Sequence, residues 1–328
     1  MTSRPAGSSS PALGPAFRAT LTSRATAGDR IFTWLTTACA LAVPTLLVLV
    51  ATLVIVAALP ALRHGEWSLI TSSRWDPSRG EFGMLAAALG TLVTAVLAVA
   101  VAAPLAIGVA LFLTEFASAR MRWGIGYLVD LLAAVPSIVY GLWGIFVLVP
   151  FLRDIAMPLI QATPLLGRLP VFAGPAYGPS ILAGTLILAI MILPFIAAVS
   201  REVLAAVPRA QREAALGLGA TRWEMVRDAV LPWARPGIVG GILLGLGRAL
   251  GETMAVTMVI GNRHQLPSSL LAPGYTLASL IANEFSEASG DLHLSALMAV
   301  GALLLLMTIV VTALARLLVG RVTARSST

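Results

Sequence analysis

Arg248 and Glu252 stand four residues apart inside an otherwise apolar stretch, Gly237–Ile260. An arginine at the centre of a membrane span costs about 2.5–3.5 kcal/mol on insertion scales, and a central acid is similarly unfavourable. Side chains that costly face a bundle interior or a watery path. On a helix this spacing puts both on one face, and two chemistries fit. They neutralise each other as an internal ion pair. Alternatively, Arg248 offers fixed positive charge to a passing oxyanion, whose oxygens suit the planar guanidinium fork, while Glu252 keeps that anion from binding too tightly. Gly237, Gly241 and Gly245 recur at the same spacing, the small-residue device that lets membrane helices touch. Gly247 and Gly251 flank the arginine.

A second patterned stretch, Arg201–Pro232, suits mechanical work better than bond chemistry. Pro208 fits the first turn of a helix, and Arg209–Leu218 is built of good helix formers. Gly219 supplies a place for a left-handed turn. Thr221 and Glu224 have the spacing of a capping box, opening a second helix through Leu231, which Pro232 is expected to stop. Such a knob either seats in a groove of a partner or lies on the bilayer as an amphipathic interfacial element.

The other chemistry-bearing residues are sparse. His64, His264 and His293 fall in or beside expected loops without metal-ligand spacing, are expected to be solvated, and suggest no metal site. Asp130 is the remaining acid expected at membrane depth; structural, gating and substrate-contact roles all stay open. A membrane protease would need a Ser/His or paired-Asp arrangement there, which the sequence does not offer. The single cysteine, Cys39, excludes an intrachain disulfide.

The elements that must position these residues are membrane helices. The composition is 58% hydrophobic and 11% charged, with mean hydropathy +0.91, against roughly 25% charged in a soluble domain. The net charge of +7 does not point to nucleic acid, because the arginines sit in short segments between apolar runs and at the two ends. All 22 basic residues are arginine, which removes the phosphate-binding lysine of a P-loop; this chain is not a conventional P-loop ATPase. Six spans are expected, at roughly 31–59, 82–113, 124–151, 180–199, 237–260 and 292–319. They divide the chain into a disordered basic tail (1–30), a first helix with its external loop (31–80), a membrane core (81–320) carrying the 201–232 loop, and a short tail (321–328).

Charge sets the orientation. The N-terminal tail has four arginines against one aspartate, the 200–235 loop six arginines against four acids, and the C-terminal tail three arginines. The positive-inside bias therefore places both termini and that loop in the cytoplasm, with the Pro- and Gly-rich segment 158–179 and the segment 262–291 outside. No internal repeat is evident, which weighs against an inverted-repeat secondary transporter.

Glu213, Ala214 and Ala215, then Gly219 after three further residues, and finally Leu231 and Pro232 resemble the EAA signature of ABC importer permeases; the usual isoleucine is Ala229 here. The stretch Gly245–Val256, followed by Val259–Asn262, is similar to the PstC-type permeases of bacterial phosphate importers, a resemblance covering the second to sixth spans. It implies an all-α, six-helix MetI-like fold with one helix added at the N-terminus, in a multi-pass protein of the bacterial cytoplasmic membrane. It implies that Glu213, Ala214, Ala215, Gly219, Leu231 and Pro232 form the knob that docks on an ATPase, and that Arg248 and Glu252 line the translocation path. The partners implied are a PstA-type permease, two copies of a PstB-type ATPase that bind the ATP and Mg, and an external phosphate-binding protein. This chain itself would be non-catalytic and bind no cofactor. Permeases for sulfate, molybdate or phosphonate share this chemistry, and a gradient-driven secondary transporter is the rival of a different class.

Overall fold

The computed structural model describes residues 27–65, 67–266 and 268–325, with side chains through 317. Most of the tail expected over 1–30, and the last three residues of the one expected over 321–328, lie outside these. Six described helices are long and apolar enough to cross a membrane: Ala27–Gly65 (α1), Leu85–Phe116, Ser137–Ala162, Ile181–Ala205, Arg222–Gly251 and Asp291–Leu317. Within this set α2 is Leu85–Leu111, closed by a wide turn at Phe112–Phe116; α3, Ala119–Ala134, precedes α4, Ser137–Ala162. Then follow α5 (Ile181–Ala205), α6 (Arg209–Gly217), α7 (Arg222–Gly251), α8 (Met254–Val259), α9 (Leu277–Glu284) and α10 (Asp291–Arg325).

The chain divides into two compact units, residues 1–53 and 54–328. In the first, α1 carries threonines whose hydroxyls return to carbonyls four residues back, as Thr36 does to Phe32 and Thr45 to Leu41 at 2.8 Å each. The protons of those hydroxyls are then not left unpaired in hydrocarbon.

In the second unit α5 is the axis. Two thirds of its apolar window is buried, and α2, α3 and α7 all pack on it. The contact with α2 uses small residues: Ala95, Ala98, Ala102, Ala106 and Ala110 are fully buried and recur every three to four residues along one face. The α7 contact uses the expected glycines. A Cβ on Gly237 would lie 2.5 Å from Val203, one on Gly241 3.1 Å from Val199, and one on Gly245 2.8 Å from Ile196. Gly247 and Gly251 instead face open space.

Three departures from the sequence-based expectation have local causes. The span expected over 124–151 is two helices, because Pro136 forces Val135 into an extended conformation (ψ 129°); the helix resumes at Ser137. Pro232 does not stop its helix. It falls in the first turn after a π-widened segment, Met225–Val230, where the absent N–H is tolerated, so the knob's second helix runs unbroken into the membrane span. The same span ends at Gly251, before Glu252 (ψ 128°), and resumes as α8 at Met254.

Candidate functional site

The knob between α5 and α7 forms from local signals. α6 follows Pro208 and ends before Gly219, whose φ of +86° suits a residue without a Cβ. Nothing crowds Gly219 within 4 Å, so its role is backbone conformation. Thr221 caps α7: its N–H and hydroxyl donate to Glu224 Oε2 at 2.8 Å each, and the Glu224 N–H returns to Thr221 Oγ1 at 3.3 Å. Glu213, Ala214, Gly219 and Pro232 are exposed. Ala215 and Leu231 instead pack inward on a cluster built from Met225, Val226, Val230, Leu204 and Val207. Of the six residues assigned to docking, four therefore face outward and two support the knob from beneath.

Sequence reasoning overlooked apolar side chains beside this signature. Leu218 is 90% exposed and Trp223 60%, on either side of Gly219. Exposed leucine and tryptophan at one tip suit a surface that a partner covers.

Arg248 lies on the last turn of α7. Its Nε is buried without a hydrogen-bond partner, and its guanidinium stands 4.4 Å from the centre of the Phe195 ring, a cation–π contact. Glu252 is not on the same helical face, because the helix has ended. Its Oε1 accepts from the Ala255 N–H at 3.3 Å, and it forms no ion pair with Arg248. The internal-pair alternative is thus not the arrangement seen. A partly buried guanidinium with an unspent donor and a carboxylate held at a helix break remain beside the open face of Gly247 and Gly251. That arrangement can bind and release an anion.

Asp130, on α3, receives two bonds from Arg201 Nη2 of α5 at 3.0 and 3.2 Å. Nearby, Arg122 of α3 donates from Nε to the Leu113 carbonyl at 2.8 Å and from Nη2 to Thr114 at 3.2 Å. Arg212 of α6 meets Glu115 at 2.9 Å. These groups, Asp130 excepted, line a cavity of about 530 Å³ beneath the bundle.

The histidines correct an expectation. His293 is 4% exposed, and its Nε2 lies 3.4 Å from Glu284 Oε2 without the alignment of a hydrogen bond. His264 Nε2 lies 3.6 Å from the other oxygen of that carboxylate, and its ring stacks on Trp75. Neither is a solvated loop residue. Burial lowers the pKa of His264 despite Glu284, which works the other way.

Comparison with known proteins supplies what geometry alone does not. Residues 102–324 match the family described as the binding-protein-dependent transport system inner membrane component. The chain is 47% identical over 302 residues to the phosphate transport system permease protein PstC of Mesorhizobium japonicum, covering 91% of this chain and 92% of that one. It is 45% identical over 282 residues to PstC of Pasteurella multocida, covering 82% and 87%, and 41% identical over 301 residues to PstC 2 of Mycobacterium tuberculosis, covering 89% and 92%. Among solved structures, a bacterial ABC transporter that imports the acidic polysaccharide alginate superposes with a TM-score of 0.59 at 18% identity, over 90% of this chain and 98% of that one. The inward-facing MetNI methionine ABC transporter gives 0.53 at 18% identity, over 78% of this chain and all of that one. These likenesses establish the fold: six membrane helices in the MetI-like arrangement, with α1 added ahead of the shared core.

Proposed function

This chain belongs to the binding-protein-dependent transport inner-membrane family, and within it to the PstC-type permeases, and from that premise we propose that it forms half of a passage through which inorganic phosphate enters the cell, driven by ATP hydrolysed on other subunits. The observation that carries the reading is Arg248, a guanidinium with an unspent buried donor beside an open glycine face. A phosphate passing that face meets fixed charge suited to its oxygens, and Glu252 limits how long it stays.

The other half of the passage is a PstA-type permease. Two PstB-type ATPase subunits bind ATP and Mg, and an external binding protein delivers phosphate. This chain contributes no catalysis and binds no cofactor. The exposed face of Glu213, Ala214 and Gly219, with Leu218 and Trp223, docks on an ATPase subunit; Ala215 and Leu231 brace it and Pro232 leads into the membrane. Closure of the ATPase pair on ATP moves two such knobs together, and the membrane helices open outward. Phosphate release inward follows hydrolysis. The energy enters because the ATPase pair has different affinities for the two knob arrangements.

The test is the complete complex in liposomes with the binding protein outside and ATP within. Labelled phosphate should accumulate only with ATP and the ATPase present, and excess sulfate should not compete. Arg248→Ala should leave the complex intact and cut uptake about tenfold or more, the scale of a lost charge-assisted contact. Uptake without the ATPase would replace this reading with a gradient-driven carrier, and full flux through Arg248→Ala would remove the arginine from the path.

A further inference from the structure

The docking surface is useful only if its displacement reaches the membrane helices, and α6 has almost no apolar hold on them. None of its residues is buried, and Ala215 alone reaches the apolar cluster beneath. What ties α6 to the bundle is Arg212. Its Nη2 donates to Glu115 Oε1 at 2.9 Å and to the Leu204 carbonyl at 2.7 Å, its Nε to Glu115 Oε2 at 3.4 Å, and its Nη1 to the Val207 carbonyl. One side chain thus grips the C-terminal ends of two helices, α2 through the carboxylate and α5 through the Leu204 carbonyl and that of Val207 just beyond its last turn.

Its surroundings make the grip stiff. The Glu115 side chain is 7% exposed and that of Arg212 19%, so salt screens the pair far less than a surface bridge. Glu115 sits in the wide turn Phe112–Phe116, and Arg122 of α3 holds the same turn from the other side through the Leu113 and Thr114 carbonyls. Successive residues on a helix point about 100° apart. Glu213 therefore faces outward while Arg212, one residue earlier, faces the bundle.

We infer that the Arg212–Glu115 pair is the strut through which displacement of the coupling knob reaches α2 and α5. Arg212 is a positioning residue. It touches neither substrate nor nucleotide, and it acts by making α6 and the ends of two core helices move as one body. Lysine is not an equivalent, since a point charge cannot hold a carboxylate and two carbonyls in one fixed fork. This inference rests on the importer reading above.

The experiment measures phosphate imported per ATP hydrolysed by the complete complex in liposomes, for wild type, Arg212→Ala, Arg212→Lys, Glu115→Gln and the double variant Arg212→Ala/Glu115→Gln. The strut predicts that the ATPase stays bound and hydrolyses at close to the wild-type rate. Phosphate moved per ATP falls about tenfold, in the usual range of a lost coupling energy. Arg212→Lys restores that ratio only in part, and the double variant is no worse than Arg212→Ala, because both lose one link. An unchanged ratio in the single variants overturns the inference. So does loss of the ATPase from the purified complex, which would make the pair a docking or folding element. A wild-type complex that imports a different anion would sink the phosphate reading and leave this comparison intact, since the ratio can be taken with any transported ion.

Discussion

The least anticipated single residues are the histidines around Glu284. His264 and His293 approach opposite oxygens of that carboxylate at 3.6 and 3.4 Å, inside a nest formed with Trp75, Phe82 and Tyr275. Burial holds the pKa of His264 below its ordinary value, so the folded protein keeps it neutral where the unfolded chain, titrating near pH 6.5, already accepts a proton. The stability associated with the neutral ring is complete above about pH 6.5 and is lost as pH falls through that value and then through the lower folded one. Purified protein should therefore melt at a lower temperature at pH 5 than at pH 8, and His264→Gln should narrow that difference. An identical pH dependence in the variant would show that the ring does not titrate on unfolding. None of this was legible in the sequence. The two histidines are twenty-nine residues apart, and they reach one acid only in the folded chain, where the rings of Trp75 and Phe82, paired across a short antiparallel hairpin, stack beside them. The charge of Arg248 in an apolar run, by contrast, was plain from composition alone; its failure to pair with Glu252 was not, because that depends on where α7 ends.

Among elements, the α5–α7 contact shows how far spacing carries. Glycines four residues apart announced a close helix contact, and the atoms they would strike are Val203, Val199 and Ile196. Gly245→Val forces methyl groups into Ile196, already 2.8 Å from a bare Cβ, and overpacking of this kind costs about 1–3 kcal/mol. Gly247→Ala projects into open space and should gain helix propensity of about 0.8–1.0 kcal/mol at most. Melting in detergent should separate the two, with Gly245→Val lowered by several degrees and Gly247→Ala level with wild type or slightly raised. Equal losses would mean that the glycine face, and not its α5 side alone, is packed. Spacing did not disclose the element boundaries. Proline at 136 ends a helix and proline at 232 does not, and the difference lies in the π-widened turn before Leu231, which no residue pattern announced.

For the whole molecule, the orientation we propose rests on where the arginines fall. The segment joining α5 and α7 carries Arg209 and Arg212, the first turns of α7 add Arg222 and Arg227, and the segment joining α2 to α4 carries Arg120 and Arg122. Arg168, in the stretch between α4 and α5, is the one cation there. Short arginine-rich segments are retained on the cytoplasmic side, because moving each guanidinium through hydrocarbon is opposed by several kcal/mol. Arg209 and Arg168 are both exposed and lie on opposite sides under that assignment. In a Cys39→Ser background, which removes the only native thiol, Arg209→Cys should react with a membrane-impermeant maleimide only after the cells are opened, and Arg168→Cys should react in intact spheroplasts. Labelling of Arg209→Cys from outside would invert the molecule. It would also place the knob where no ATPase could reach it, so the same measurement bears on the docking face and on the Arg212 strut behind it.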